Sequence, residues 1–135
     1  MTLSQQARML YRKAVDDSRV LEVDLSGAVL TDEIWGFHAQ QAVEKLLKAI
    51  IAWREQAFPF THNLFQLADL AAEYVPDLPS ECETLVELTP FAAELRYSYT
   101  QPSASSAKLD RRQYRDLVQA LLIYTGRLLR MAEEE

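Results

Sequence analysis

Apolar residues recur at helical spacing along most of this chain, and the longest such stretch runs from Asp32 to Gln56. At about 100° per residue, it forms a helix of roughly seven turns with one broad apolar face and one polar arc. The apolar face holds Trp35, Ala39, Val43, Leu46, Leu47, Ile50 and Trp53. The polar arc holds Gln40, Gln41, Glu44, Lys45, Lys48 and Glu55, with His38 at its edge.

Three apolar residues interrupt that polar arc: Ile34, Phe37 and Ile51. Several exposed apolar side chains on one arc are unusual for a monomer. A helix of this kind is typically packed on two sides, by its own bundle and by a neighbouring subunit. The pattern therefore predicts a homodimer with these residues at or near the interface.

Four further helices follow from periodicity and from capping residues. They cover Thr2 to Asp24 (capped by Thr2 or Ser4), the stretch from the Asn63 cap to Tyr74, Ser80 to about Thr100, and Asp110 to about Met131. Ser80 and Glu83 have capping-box spacing, and Pro90 either kinks the fourth helix or opens a new one capped by Thr89. Asp32 or Thr31 caps the long helix. No strand or repeat is predicted, so the expected fold is all-α, an up-and-down bundle of four to five helices forming one domain over residues 1–135.

Composition narrows the class of protein. A formal net charge of −6 argues against a general nucleic-acid binder, although a local basic patch remains compatible with it. The single cysteine, Cys82, fits a reducing compartment. The sequence shows no signal peptide and no apolar run long enough to cross a bilayer, so a cytoplasmic location is expected.

Asp17 lies within the apolar stripe of the first predicted helix. One interpretation places its carboxylate at the solvated margin of the stripe. The other has it partly buried, in which case it needs a cation from another helix. Arg96 is one candidate for that cation.

The candidate chemistry rests on few residues. Scattered glycines, one cysteine and two histidines exclude phosphate loops and clustered zinc sites, and no Glu-x-x-His pattern suggests a di-iron centre, so neither a metal nor a cofactor is expected. The remaining candidates for ligand binding are His38, Lys45, His62, Arg96, Tyr97 and Tyr99. Each also has a structural interpretation: His38 as a hydrogen-bond partner, Lys45 as a solvated residue beside Gln41, His62 at backbone groups opening a helix, and Arg96 in an ion pair. Tyr97 and Tyr99 lie on different faces, so at most one joins Arg96.

Three segments resemble the HEPN family, named for nucleotide binding in prokaryotes and higher eukaryotes. They are FHAQQAVEKLLKAI (Phe37 to Ile50), THNLFQLADLA (Thr61 to Ala71) and LTPFAAELRYSY (Leu88 to Tyr99), supported by KAVDDSRVL in the first helix. The resemblance covers roughly residues 5 to 130. It implies a four- or five-helix bundle, a homodimer, and in many members a minimal nucleotidyltransferase partner in toxin–antitoxin-like systems.

Some members of that family are metal-independent RNases with an Arg-x4–6-His pattern. Arg96 matches the arginine, but Gln101, Pro102 and Ser103 stand where the histidine would fall. A missing general base removes the usual proton acceptor, so the chain is expected to bind rather than cleave. The predicted function is binding of a nucleotide, an RNA end or a nucleotidyltransferase, with Arg96, Tyr97 or Tyr99 and His62 in a phosphate-binding cleft. The alternatives are an RNA endonuclease with a non-standard base and a dimeric structural adaptor.

Overall fold

A long central helix organises the computed structural model, which describes residues 1–92 and 109–131. The α-helices are α1 (Leu3–Val23), α2 (Asp32–Trp53), α3 (Leu64–Tyr74), α4 (Cys82–Leu85) and α5 (Arg111–Leu128), with a 3₁₀ helix at Val86–Phe91. No strand occurs in these two ranges. The prediction of an all-α helical bundle is confirmed.

Helix α2 is the centre of this bundle. It contacts α1, α3, α5 and the 3₁₀ helix, and 14 of its 22 residues are buried. Ile51 is one of them, fully covered by the protein's own core. Its predicted place at a subunit interface is therefore wrong, because the end of α2 where it lies is surrounded by other parts of the same chain. Ile34 remains 44% exposed and Phe37 partly so.

Side-chain caps start four of the helices where the sequence predicts. Thr2 and Gln5 form a reciprocal capping box on α1, and the side chains of Thr31, Asn63 and Asp110 accept backbone N–H groups at the starts of α2, α3 and α5. The predicted cap at Ser80 is wrong. Glu81, the residue before α4, already has helical dihedrals, so the Ser80 side chain is too early, and only the Ser80 carbonyl accepts from the Glu83 amide.

Helices α2 and α5 end earlier than predicted, and for the same reason. Glu55 and Arg130 each have φ of 59°, in the left-handed region. After α2, the amides of Glu55 and Gln56 donate back to the carbonyls of Ala52 and Ile51 at 2.8 and 3.2 Å. This is a Schellman motif built without glycine. The same pair of bonds closes α5, so α2 stops at Trp53 and α5 at Leu128.

The helix predicted from Ser80 departs from expectation before Pro90. The one-turn α4 tightens into the 3₁₀ helix, which contains Pro90, and the backbone turns extended at Ala92. Thr89 does not cap a new helix. Its hydroxyl donates to the Val86 carbonyl and accepts from the Leu64 amide, which ties the 3₁₀ helix to the first residue of α3. The rest of that predicted helix lies outside the described residues.

A buried ion-pair network closes the turn between α1 and α2 onto α5. The Asp24 carboxylate accepts the backbone N–H groups of residues 27, 28, 29 and 30 at 2.6–3.1 Å. The Arg111 guanidinium donates to the Asp24 carboxylate, the Leu30 carbonyl and the Asp32 carboxylate. The Leu30 amide contributes most to lowering the pKa of Asp24 to about 2, against the opposing effect of burial. One arginine therefore locks three chain segments together.

Candidate functional site: two carboxylate–histidine–lysine clusters on one helix

Part of the polar arc of α2 is covered by protein rather than solvated. Gln40 is fully buried, and Glu44 and Lys48 are nearly so. Buried polar groups need hydrogen-bond partners and buried charges need opposite charges. The arc meets both requirements, and every buried side-chain nitrogen or oxygen atom of the described residues has a partner.

At one edge of this arc, Asp17 of α1 holds His38 and Lys45 of α2 together; these three residues are called the Asp17 cluster below. The His38 Nδ1 lies 3.0 Å from Asp17 Oδ1, and the Lys45 Nζ lies 2.6 Å from Asp17 Oδ2. The Asp17 side chain is 12% exposed, whereas those of His38 and Lys45 are 30% and 24% exposed. The carboxylate is therefore inside, with both of its partners reaching solvent.

The contact fixes the chemistry of the His38 ring. An ionised carboxylate only accepts hydrogen bonds, so the proton of a neutral His38 sits on Nδ1. The Nε2 atom is then left as a base in the neutral ring and as a donor in the imidazolium. A carboxylate that fixes one ring nitrogen in this way is the arrangement that orients catalytic and ligand-binding histidines.

At the other edge of the arc, Glu44 of α2 holds His62 and Lys48; with Gln40 they are called the Glu44 cluster. The His62 Nδ1 lies 2.9 Å from Glu44 Oε1, and the Lys48 Nζ lies 2.8 Å from Oε2. Gln40 donates to Glu44 Oε1 at 3.0 Å and to the His62 carbonyl at 3.2 Å. The cluster thus repeats the Asp17 arrangement of one carboxylate between a histidine and a lysine.

Opposing effects set the pKa of Glu44. Burial raises it, but hydrogen bonds from Lys48, Gln40 and His62 outweigh burial and hold the pKa below its ordinary value. Glu44 is therefore ionised near neutral pH. The His62 side chain is 35% exposed beside this buried carboxylate.

Gln41 lies between the two clusters on the helix surface. It is one turn from both His38 and Lys45, and its amide donates to Gln40 Oε1 at 2.8 Å. The arc is therefore continuous: His38 and Lys45 at one edge, Gln41 next, then Lys48, Glu44 and Gln40.

Of the six residues that sequence singles out, the structure brings His38 and Lys45 together and places His62 at the far edge of the same arc. Arg96, Tyr97 and Tyr99 lie outside the described residues, so the predicted cleft that joins them to His62 stays a prediction. The interpretation of Lys45 as a solvated residue beside Gln41 is wrong, because it pairs with Asp17. Of the two interpretations of Asp17, the buried one is correct, with the cation coming from Lys45.

Sequence reasoning placed Glu44, Lys48 and Gln40 on the polar arc but did not single them out as site residues. One signal was present: Glu44 and Lys48 have i,i+4 spacing, the spacing of helical ion pairs. The structural interpretation of His62 placed it at the backbone groups that open α3, but the Leu64 and Phe65 amides donate to the side chains of Thr89 and Asn63. Within residues 1–92 and 109–131, no group of three or more His, Cys, Asp or Glu side chains is placed to hold a metal ion.

Comparison with known families adds one finding to this geometry. The family model of the HEPN domain matches residues 7–134, nearly the whole chain. The chain belongs to the HEPN family. Neither the curated proteins nor the solved structures include a significant match. Membership gives this HEPN domain a broadly nucleotide- or RNA-related function.

Both clusters fall inside the range matched to the HEPN domain. Among the residues described, no helix of this HEPN domain is long and apolar enough to traverse a bilayer.

Proposed function

We propose that this HEPN domain binds the phosphate of a nucleotide or of an RNA end at the Asp17 cluster. One observation carries the proposal: a single buried carboxylate holds an imidazole and an ammonium side by side, both partly exposed. The HEPN match supports the nucleotide or RNA class of ligand.

The chemistry of the two exposed groups suits a phosphate. A lysine ammonium has three N–H donors, and Lys45 gives one of them to Asp17. An imidazolium at His38 offers its Nε2–H as another donor, and hydrogen bonds between charged groups are roughly twice as strong as neutral ones. Lys45 and the His38 ring together therefore offer several donors to one phosphate.

Asp17 has a positioning role in this proposal. It holds both side chains in fixed positions, which reduces the entropy lost when a ligand binds. Arg96, with Tyr97 or Tyr99, belongs to the same proposal as a further source of phosphate and base contacts.

Titration calorimetry with ATP and a 5′-phosphorylated oligoadenylate tests this site. His38→Ala and Lys45→Met each remove one phosphate contact, and each should weaken binding about tenfold or more, since a charge-assisted bond contributes about 1.5–3 kcal/mol. Lys13→Met is the matched control, because Lys13 is an exposed lysine of α1.

The affinity of a variant can be compared with that of the parent only if the variant stays folded. Lys45→Arg retains the charge beside Asp17 and should keep most of the affinity, which separates loss of a contact from loss of structure. Parent-like affinity in both His38→Ala and Lys45→Met would contradict the site. Arg96→Ala measured beside them tests the contribution of Arg96.

The same proposal includes a partner, a minimal nucleotidyltransferase, which HEPN membership favours. Coexpression with such a protein encoded next to this chain, followed by affinity purification, tests it. A stable complex supports the partnered form of the function. Separate elution at micromolar concentration would argue for independent ligand binding.

The second candidate function is metal-independent cleavage of RNA, and one observation favours it. His38 is a histidine oriented by a carboxylate, with Lys45 beside it, so it is a candidate general base in place of the Arg-x4–6-His histidine that this chain lacks. The third candidate, a dimeric adaptor without ligand, has no residue-level support from either cluster and is the result expected if no phosphate binds.

A further inference from the structure

The segment between α2 and α3 contains one aromatic ring that is fully exposed to solvent. Phe60 is 102% exposed, whereas Phe58, two residues earlier, packs against the core. An exposed phenylalanine ring forgoes the stabilisation that burial would give it. Such a ring on an anchored segment therefore points to contact with something outside the chain.

The segment is anchored on both sides of Phe60. The Phe58 ring lies 5.4 Å from the Lys48 ammonium, in cation–π range, and Pro59 has a restricted φ. On the other side, His62 bonds to Glu44 through Nδ1 and to Gln40 through its carbonyl. The Glu44 cluster therefore fixes the backbone on which Phe60 stands. A rigidly supported ring loses little entropy when a flat ligand stacks on it.

We propose that Phe60 is the stacking platform for the base of the bound nucleotide; this inference rests on the phosphate site proposed at the Asp17 cluster. A base presents a π-face to an aromatic ring, and each stacked base contributes substantially to affinity without sequence preference. His62, two residues from Phe60 along the chain, is also partly exposed.

The Asp17 cluster and the segment that carries Phe60 meet opposite edges of one polar arc. His38 and Lys45 are at one edge, and hydrogen bonds from Gln41 to Gln40 and from Gln40 to the His62 carbonyl lead to the other edge, where His62 stands two residues from Phe60. A helix with its side chains is about 10–12 Å across. In this proposal one nucleotide spans the two edges over Gln41, the partly exposed residue between them.

The surroundings of Phe60 favour a base over a protein surface. The core of a protein interface is contiguous and apolar, depleted in charged groups. The residues that follow Phe60 are Thr61, His62 and Asn63, all polar, and the Thr61 hydroxyl is used to accept the Asn63 amide. The ring therefore has apolar neighbours on one side, Phe58 and Pro59, and hydrogen-bonding groups on the other, which suits the face and the edges of a nucleobase.

Replacing the ring tests the proposal with two probes, ATP and tripolyphosphate, which has no base. Phe60→Ala and Phe60→Leu should each weaken ATP binding about tenfold and leave tripolyphosphate affinity unchanged. Phe60→Tyr keeps the aromatic face and should bind ATP like the parent. Phe65→Ala is the control, because Phe65 is a half-exposed phenylalanine on α3.

The outcomes separate this inference from the proposed function. If Phe60→Ala binds ATP like the parent while His38→Ala does not, the stacking role is wrong and the phosphate site stands. If Phe60→Ala changes the oligomeric state and not ATP affinity, Phe60 docks a protein and the inference is overturned. If the parent binds neither ATP nor tripolyphosphate, the phosphate site fails and the stacking role with it.

Discussion

Gly36 of α2 and Phe91 of the 3₁₀ helix approach so closely that no side chain fits between them. A β-carbon at position 36 would stand 2.3 Å from Cδ1 of the Phe91 ring. This glycine therefore sets the distance at which the 3₁₀ helix packs on α2.

Gly36→Ala should destabilise the fold by about 1–3 kcal/mol, because overpacking forces the Phe91 ring or the backbone to move. Chemical unfolding followed by circular dichroism measures the change. The double variant with Phe91→Ala isolates the cause: adding Gly36→Ala to Phe91→Ala should cost much less, since the clash is gone. An equal cost in both backgrounds would point to a source other than the ring.

Asp17→Asn should lower both stability and phosphate affinity, because Lys45 and His38 lose a common charged partner. The expected loss of stability is about 1–3 kcal/mol, the usual result of removing a hydrogen-bond partner from a charged group. Asp16→Asn is a matched control: Asp16 is the neighbouring residue, 74% exposed in its side chain, and pairs with Arg19 on the surface. Exposed pairs contribute roughly 0–1 kcal/mol, so this control should unfold like the parent. Equal effects of the two changes would contradict the special role of Asp17.

Stability should fall in acid through Asp24. Its pKa is lowered to about 2 in the folded protein, so the unfolded chain takes up the proton at higher pH. The contribution is present above the unfolded pKa, about 3.9, and is lost as pH falls from there through about 2. Unfolding measured between pH 5 and pH 2 tests this for the parent and Asp24→Asn. The variant should be less stable near neutral pH, and its stability should depend less on pH in this window.

The protein should form a homodimer through the exposed part of α2. Ile34 and Phe37 remain candidates for the interface, whereas Ile51 is excluded by its burial. Light scattering coupled to size exclusion gives the mass, and Ile34→Glu should shift a dimer towards monomer. Ile123→Glu, on α5 at 50% exposure, is the control and should leave the mass unchanged. A parent that is monomeric at micromolar concentration would rule the interface out.

Metal-free protein alone should not cleave RNA at an enzymatic rate. The histidine of the nuclease pattern is missing, and the net charge of −6 gives no general attraction for a polyanion. Incubation with mixed-sequence RNA, beside His38→Ala, His62→Ala and Arg96→Ala, decides between this prediction and the second candidate function. Cleavage that survives purification and disappears in His38→Ala would make the Asp17–His38 pair the base.

The positions and caps of α1, α2, α3 and α5 could be predicted from sequence because they depend on local periodicity and on short-range hydrogen bonds. Thr2, Asn63 and Asp110 act within three residues of their own positions. The ends of α2 and α5 could not be predicted, because Glu55 and Arg130 adopt a left-handed conformation that glycine usually occupies.

The candidate site was readable only in part, because its contacts span distant positions. Asp17 stood out as a carboxylate in an apolar stripe, but only the packing of α1 on α2 selects Lys45 and His38 as its partners. Glu44 and His62 meet because the segment after α2 folds back onto it. Nothing local in the sequence marks that return, so the burial of Gln40, Glu44 and Lys48 could not be predicted.

The charged contacts between helices also determine how those helices align along their length. Sliding α1 by one turn along α2, about 5.4 Å, would exchange one apolar layer for another. The same slide would take Asp17 away from Lys45 and His38, and would pull Asp24 from Arg111. Each of these charged groups would then be buried without an opposite charge, which destabilises the fold far more than a changed apolar contact does. These ion pairs therefore serve as register marks, selecting one alignment from several that the apolar stripes alone would tolerate.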